Sequence, residues 1–253
     1  MPPNSKDKLV GRKIVVVGGT SGIGHGAALA LLEHGAHVAI VSSSEEKLNA
    51  ALKRIDHPNA SGKVSDVRNE EQYTEVLKSL APVDHLIYSS VDKIIRGAIA
   101  DADLDDAKWY FGVKFWGSAL TGKIASKYDI INSGGSLTLT SGTGAMKPGT
   151  TASIGGSLNA GLFTMTQGLA NELTPKKIRV NCVVPGMVVT ELWDKMGASK
   201  DQQKEMFDSS SKKLPVGFVA TPEDIAEAYL YCVRADYANG TLITIDGGGV
   251  LQN

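Results

Sequence analysis

Near its start the chain reads Ile14-Val15-Val16-Val17-Gly18-Gly19-Thr20-Ser21-Gly22-Ile23-Gly24-His25-Gly26-Ala27-Ala28-Leu29, a β-branched run, a glycine-rich turn and then apolar residues at helical spacing. β-Branched side chains favour extended backbone, so 14–17 predicts a strand. Glycines in the turn permit positive φ, let backbone N–H groups approach an anion, and let the following helix lie close to the strand. The helix N-terminus aims its unpaired N–H groups at the same point. A strand, such a loop and a helix in this order predict a phosphate cradle of a dinucleotide site. Its expected contacts are Gly18, Thr20, Ser21, Gly22, Ile23 and Gly24.

The rhythm continues outward. Strand segments are expected at 14–17, 37–41, 62–65, 85–89, 136–140, 179–184 and 242–245, and helices at 22–34, 45–54, 70–80, 104–127, 154–173 and 222–233. Each crossover helix must bury its apolar stripe against the sheet. Strict alternation therefore predicts an α/β, Rossmann-type, doubly wound parallel sheet of about seven strands with helices on both faces. No linker, charge block or repeat divides the chain, so 1–253 is read as one domain. Only 187–214 breaks the pattern, mixing Leu192, Trp193, Met196, Met206 and Phe207 with polar residues. Two readings stand for it: a helical lid over a site, with Trp193 and Met196 in the substrate pocket, or a solvated excursion pinned by a few apolar side chains.

Composition narrows the partners. Lys and Arg total 26 against 27 Asp and Glu, a formal charge of −1 that gives no electrostatic reason to expect nucleic acid or an anionic membrane. Nothing reads as a membrane span, and Cys182 and Cys232 each sit in an apolar run, as buried thiols of a reducing compartment do. A cytoplasmic protein acting on a small molecule without a metal is expected.

At the end of the second strand a dinucleotide site meets the adenosine ribose, where an acidic side chain would bond the 2′-hydroxyl. Here the strand runs into Ser42, Ser43 and Ser44, with Lys47 one turn on. No carboxylate stands there to repel a 2′-phosphate, so NADP is expected in preference to NAD. The competing reading makes the serines a helix cap before Glu45 and Glu46.

The glycine pattern Gly18-x-x-x-Gly22-x-Gly24, Asp66-Val67 after the third strand, the run from Ile178 to Gly186 and the closing Ile245-Asp246-Gly247-Gly248 together resemble the short-chain dehydrogenase/reductase family over nearly the whole chain. The resemblance implies that Gly18, Ser21 and Ile23 line a pyrophosphate and that Asp66 and Val67 hold the adenine. It also implies that Pro185, Gly186, Met187 and Val188 pass the nicotinamide, with Thr190 near its amide. The family's Asn-Asn-Ala-Gly becomes Tyr88-Ser89-Ser90-Val91, which places Ser89 at the cofactor.

The departures bear on the chemistry. Counting back from Leu169-Ala170-Asn171-Glu172-Leu173-Thr174-Pro175, the family's Tyr-x-x-x-Lys pair falls on Gly155 and Asn159, and 132–180 contains no tyrosine. The family's serine is retained as Ser141, and its asparagine position holds Lys114. Hydride addition to a ketone builds charge on oxygen, which the family's tyrosine discharges as an acid. Without it, the cleft suits an iminium, or a conjugated acceptor whose enolate Lys114 and Ser141 stabilise as donors. A lysine desolvated between Trp116 and the cofactor would fall in pKa. Against these roles, Lys114 snorkels to water on another helix face, and Ser141 merely satisfies a backbone group.

Three functions are compatible with this. The first is an atypical NADP-dependent reductase of an activated C=N, C=C or carbonyl group in a small apolar metabolite. The second is a non-redox isomerase or pericyclase using the same pocket, since some relatives lacking the pair in fungal alkaloid pathways combine such chemistry with reduction. The third is a catalytically silent NADP-binding protein. Apolar residues on helices 104–127 and 154–173, together with the resemblance, predict a homodimer or homotetramer.

Overall fold

Runs of Val, Ile and Leu without polar alternation form strands covered on both faces. Four of five residues of β1 (Lys13–Val17) and all seven of β6 (Arg179–Pro185) are buried. The computed structural model describes residues 8–94 and 96–252. Among them the remaining strands are β2 (His37–Ser42), β3 (Ala60–Val64), β4 (Val83–Tyr88), β5 (Ile131–Thr140) and β7 (Leu242–Ile245). All seven pair in parallel in the order β3-β2-β1-β4-β5-β6-β7. The order reverses between β1 and β4, and ligands of such sheets bind beyond the strand C-termini at that reversal.

Helices cover both faces. On one side α1 (Gly22–Glu33), α2 (Glu45–Ile55) and α8 (Pro222–Arg234) close a core containing Leu31, Ile40 and Tyr229. On the other, α3 (Glu70–Leu80), α5 (Gly117–Lys127) and α6 (Ser153–Glu172) close one containing Tyr73, Leu86 and Leu137. Both cysteines are buried and unpaired, as read from the sequence. No helix among the described residues is long and apolar enough to cross a membrane.

Two segments differ from expectation, and a third, 187–214, was open between two readings. The helix expected over 104–127 is instead α4 (Leu104–Phe111), a π-helical turn Gly112–Trp116, and α5. One extra residue is accommodated there, and the buried Tyr88 hydroxyl donates to the Val113 carbonyl at 2.5 Å, fixing the widened turn to the end of β4. β5 begins five residues early at Ile131, which pairs with Val83 before the register shifts ahead of His85. The segment 187–214 is helical, with a 3₁₀ stretch Glu191–Met196 and α7 (Lys200–Lys213), whose start Ser199 and Gln202 close as a reciprocal cap.

Candidate active site

The C-terminal ends of β1, β4, β5 and β6 open into a cleft of about 810 Å³. Its floor is the glycine loop. Gly18 has φ +86°, and a Cβ there would stand 2.8 Å from the Ser90 nitrogen; a Cβ on Gly24 would meet Ser89 Oγ at 2.3 Å and the Gly18 carbonyl oxygen at 2.4 Å. Gly18, Thr20, Ser21, Gly22, Ile23 and Gly24 all line the cleft. Ser89, whose hydroxyl donates to the Val17 carbonyl at 3.0 Å, lines it too and holds β4 against the loop.

Asp66, Val67, Pro185, Gly186, Val188 and Thr190 line the same cleft, as do Ser42 and Ser43. Ser44 does not: its side chain accepts the Lys47 N–H at 3.3 Å and caps α2. The capping reading is therefore right for Ser44, and one hydroxyl suffices for the cap, leaving Ser43 toward the cleft. Ser42 Oγ also accepts the Ser44 N–H at 3.3 Å. Lys47 and Arg54 stand at this end, and Arg54 donates to the Thr20 carbonyl at 2.8 Å. Arg54 lies three turns from the serine cluster, so no local pattern marked it.

A dinucleotide fits this lining on two further observations. Ser65 Oγ, beside Asp66, and Asn159 Oδ1 are buried polar atoms with no hydrogen-bond partner among the described residues, and both residues face the cleft. Orphaned buried oxygens are rare and costly unless a ligand or water completes them. Both sit among residues expected to meet the nucleotide.

Lys114 reaches the cleft from the π-helical turn, and its Nζ donates to the Ser141 carbonyl at 2.8 Å. The side chain is half-buried by surface, yet its ammonium is enclosed deeply enough that desolvation pulls it from 10.5 to about 8. Trp116 has no part in this: it is 60% exposed and stacks edge-on against Phe115. Residues two apart point to opposite sides of any helix, at about 100° per residue, so Lys114 faces the cleft while Trp116 faces outward. Ser141 is buried, and its hydroxyl donates to the Asn159 carbonyl at 2.8 Å, so it serves a backbone group as the rival reading held.

Gly155 also faces the cleft. A phenol does enter from elsewhere: Tyr110, on α4 one turn before Lys114, lines it beside Lys93, whose Nζ lies 4.0 Å from the ring centre. On the lid side Trp193 is buried, donates its indole N–H to the Val188 carbonyl at 2.7 Å, and faces the cleft with Leu192. Met196, at the end of the 3₁₀ stretch, does not reach it, and Phe207, on α7, packs against Trp193 at 5.9 Å between rings without lining the cleft. Glu191 was missed: its Oε2 accepts the Gly22 N–H at 3.0 Å, so the lid sets a carboxylate on the N-terminus of α1.

The model of an SDR-like Rossmann domain matches residues 5–252. The short-chain dehydrogenase/reductase malC of Malbranchea aurantiaca is 33% identical, over 98% of both chains, and fsr5 of Gibberella fujikuroi is 31% identical over 97% of both. Among solved structures, the MalC reductase/Diels–Alderase of Malbranchea aurantiaca superposes with a TM-score of 0.89 at 29% identity, covering 98% of this chain and 100% of that one. A small-chain dehydrogenase in complex with NADPH does so with 0.78 at 31%, covering 95% and 99%. With seven parallel strands in the expected order and the glycine loop beneath the cleft, the chain belongs to the short-chain dehydrogenase/reductase family of oxidoreductases.

Proposed function

We propose that the protein is an NADP-dependent reductase of a conjugated acceptor, a C=C bond activated by a carbonyl, in a small and largely apolar metabolite. NADPH, when bound, supplies the hydride. The carrying observation is Lys114, a desolvated cation bonded to the Ser141 carbonyl in a cleft where Gly155 offers no acid. As hydride adds to the β-carbon, negative charge moves to the carbonyl oxygen, and an ammonium held in a partly dry site stabilises it without reorganising. The enolate is then protonated at carbon by solvent, so no tyrosine is needed.

Gly18 to Gly24 would cradle the pyrophosphate, and Ser65, Asp66 and Val67 would face the adenine. Asn159 would offer its free Oδ1 to a cofactor hydroxyl. Ser42, Ser43, Lys47 and Arg54 favour a 2′-phosphate by supplying hydroxyls and positive charge and no carboxylate. The segment 187–214 acts as the lid through Trp193, with Glu191 yielding the Gly22 N–H to the pyrophosphate. An iminium is disfavoured, since Lys114 repels a cation. A pericyclic or isomerising activity in the same cleft remains the second reading, favoured by the likeness to the MalC reductase/Diels–Alderase.

The test is NADPH oxidation over a panel pairing simple ketones with enones and cyclic iminiums. Enones should turn over, ketones should be poor, and Lys114→Met should lower enone turnover about 100- to 1000-fold, the usual loss for one preorganised donor. Robust reduction of an ordinary ketone, or enone turnover indifferent to Lys114→Met, refutes the assignment.

A further inference from the structure

Among the described residues, eight lysine and arginine side chains and three carboxylates line the cleft of a protein whose overall charge is −1. The three acids are already engaged. Asp66 accepts the Arg68 backbone N–H at 2.9 Å, Asp92 pairs with the Arg68 guanidinium, and Glu191 sits on the Gly22 N–H. Lys47 and Arg54 belong to the nucleotide end. Lys93, Arg96 and Lys147 line the cleft as well, none with an ion-pair partner among the described residues.

Two of these cations are placed on aromatic faces. Lys93 Nζ lies 4.0 Å from the centre of Tyr110, and the Arg96 guanidinium lies 5.9 Å from the centre of Trp193. Tyr110 and Trp193 themselves line the cleft. Cations stacked on rings keep their N–H groups free for another acceptor, and like charges gathered in one cleft repel unless an anion joins them.

We propose that the substrate carries a carboxylate remote from its reacting bond, held by Lys93, Arg96 and Lys147, with its flat unsaturated body between Tyr110 and Trp193. This rests on the reductase reading above and specifies its substrate class as an unsaturated acid. The carboxylate fixes which end of the molecule points toward Lys114. A neutral ester or amide of the same shape leaves the three cations unpaired and binds less well.

The experiment uses the protein loaded with NADP⁺ and two probes of one shape, para-carboxybenzalacetone, whose carboxylate lies across the ring from its enone, and the corresponding primary amide, by titration calorimetry. The acid should bind at least about tenfold more tightly, the worth of one charge-assisted hydrogen bond, and the gap should close as salt rises. Lys93→Gln with Arg96→Gln should erase the preference while leaving melting temperature and NADPH affinity in place. Equal affinity for the two probes, no binding of the acid at millimolar concentration, or a preference that survives the double variant overturns the proposal. A preference for the acid that persists while no conjugated carbonyl oxidises NADPH would leave the anion site standing and remove the reductase reading instead.

Discussion

Replacing Lys114 by Met tests whether its ammonium is desolvated, through stability alone and without a known substrate. Burial lowers the group from 10.5 to about 8. At ~1.36 kcal/mol per pH unit, the gap corresponds to roughly 3 kcal/mol of destabilisation carried by the charged form. The 2.8 Å bond to the Ser141 carbonyl holds the group in place. Methionine carries no charge to desolvate, so at pH 7 the variant should be as stable as wild type or more stable by up to roughly 3 kcal/mol. The pH dependence is the sharper readout. Because the folded value lies below the unfolded one, the unfolded chain binds the extra proton between about pH 8 and pH 10.5, and stability rises with pH wherever that holds. Wild type should therefore gain roughly 2–3 kcal/mol on the variant between pH 7 and pH 10, read as the difference of their urea unfolding free energies. Curves that run parallel across that window would mean a solvated ammonium, and would end the argument for Lys114 as an electrostatic catalyst. The same titration should make enone turnover decline as pH rises through about 8.

Other outcomes follow from single contacts. Glu191→Gln removes the charge resting on the Gly22 N–H, where an anionic ligand of α1 would sit, and should tighten NADPH binding about tenfold by calorimetry; unchanged or weaker binding refutes the competition. Ser42→Asp should shift preference from NADPH toward NADH in a fluorescence titration, and equal affinity of wild type for both would reduce Ser42 to a backbone support. Gly24→Ala forces a Cβ to 2.4 Å from the Gly18 carbonyl and should abolish cofactor binding while costing about 1–3 kcal/mol of stability, measured by thermal melting with and without NADPH. Light scattering should give the mass of a dimer or tetramer, because α5 and α6 leave a groove lined by Ala119, Gly122, Met165 and Leu169; a single-chain mass at micromolar concentration refutes it.

The fold was legible because its signals are periodic and repeated. Most strands carry a β-branched core, and β5, whose Asn132 to Gly135 say nothing, was found from Leu137 to Thr140, whereas β3, with only the exposed Val64 to mark it, lies at Ala60–Val64 and not at 62–65. The cradle was legible because its glycines act locally, through backbone geometry. Side chains that reach the cleft from distant elements were not. Arg54, Lys93, Arg96, Tyr110, Lys147 and Glu191 become neighbours only when the crossovers close, and none carries a spacing that announces it. Met196 and Ser44 failed for the converse reason: their sequence position was right, but a 3₁₀ turn and a helix cap took their side chains elsewhere.

The π-helical turn ties the site to chain length. In a regular helix each residue advances the side-chain direction by about 100°, so one surplus residue in Gly112–Trp116 offsets everything before it from everything after it by about that angle. That offset lets Tyr110 and Lys114 face the cleft while Gly117, Ser118 and Thr121 stay buried behind them, with Gly117 so close to the Tyr88 hydroxyl that a Cβ would approach it to 1.9 Å. The segment thus has a reading frame. Substitutions on its outer side, as at the exposed Trp116, leave the frame intact, whereas deleting one residue would restore ordinary helix and swing either the lysine or the buried small residues out of place. Relatives that differ by one residue here should differ in which side chain faces the substrate, whatever their amino acids at the aligned positions.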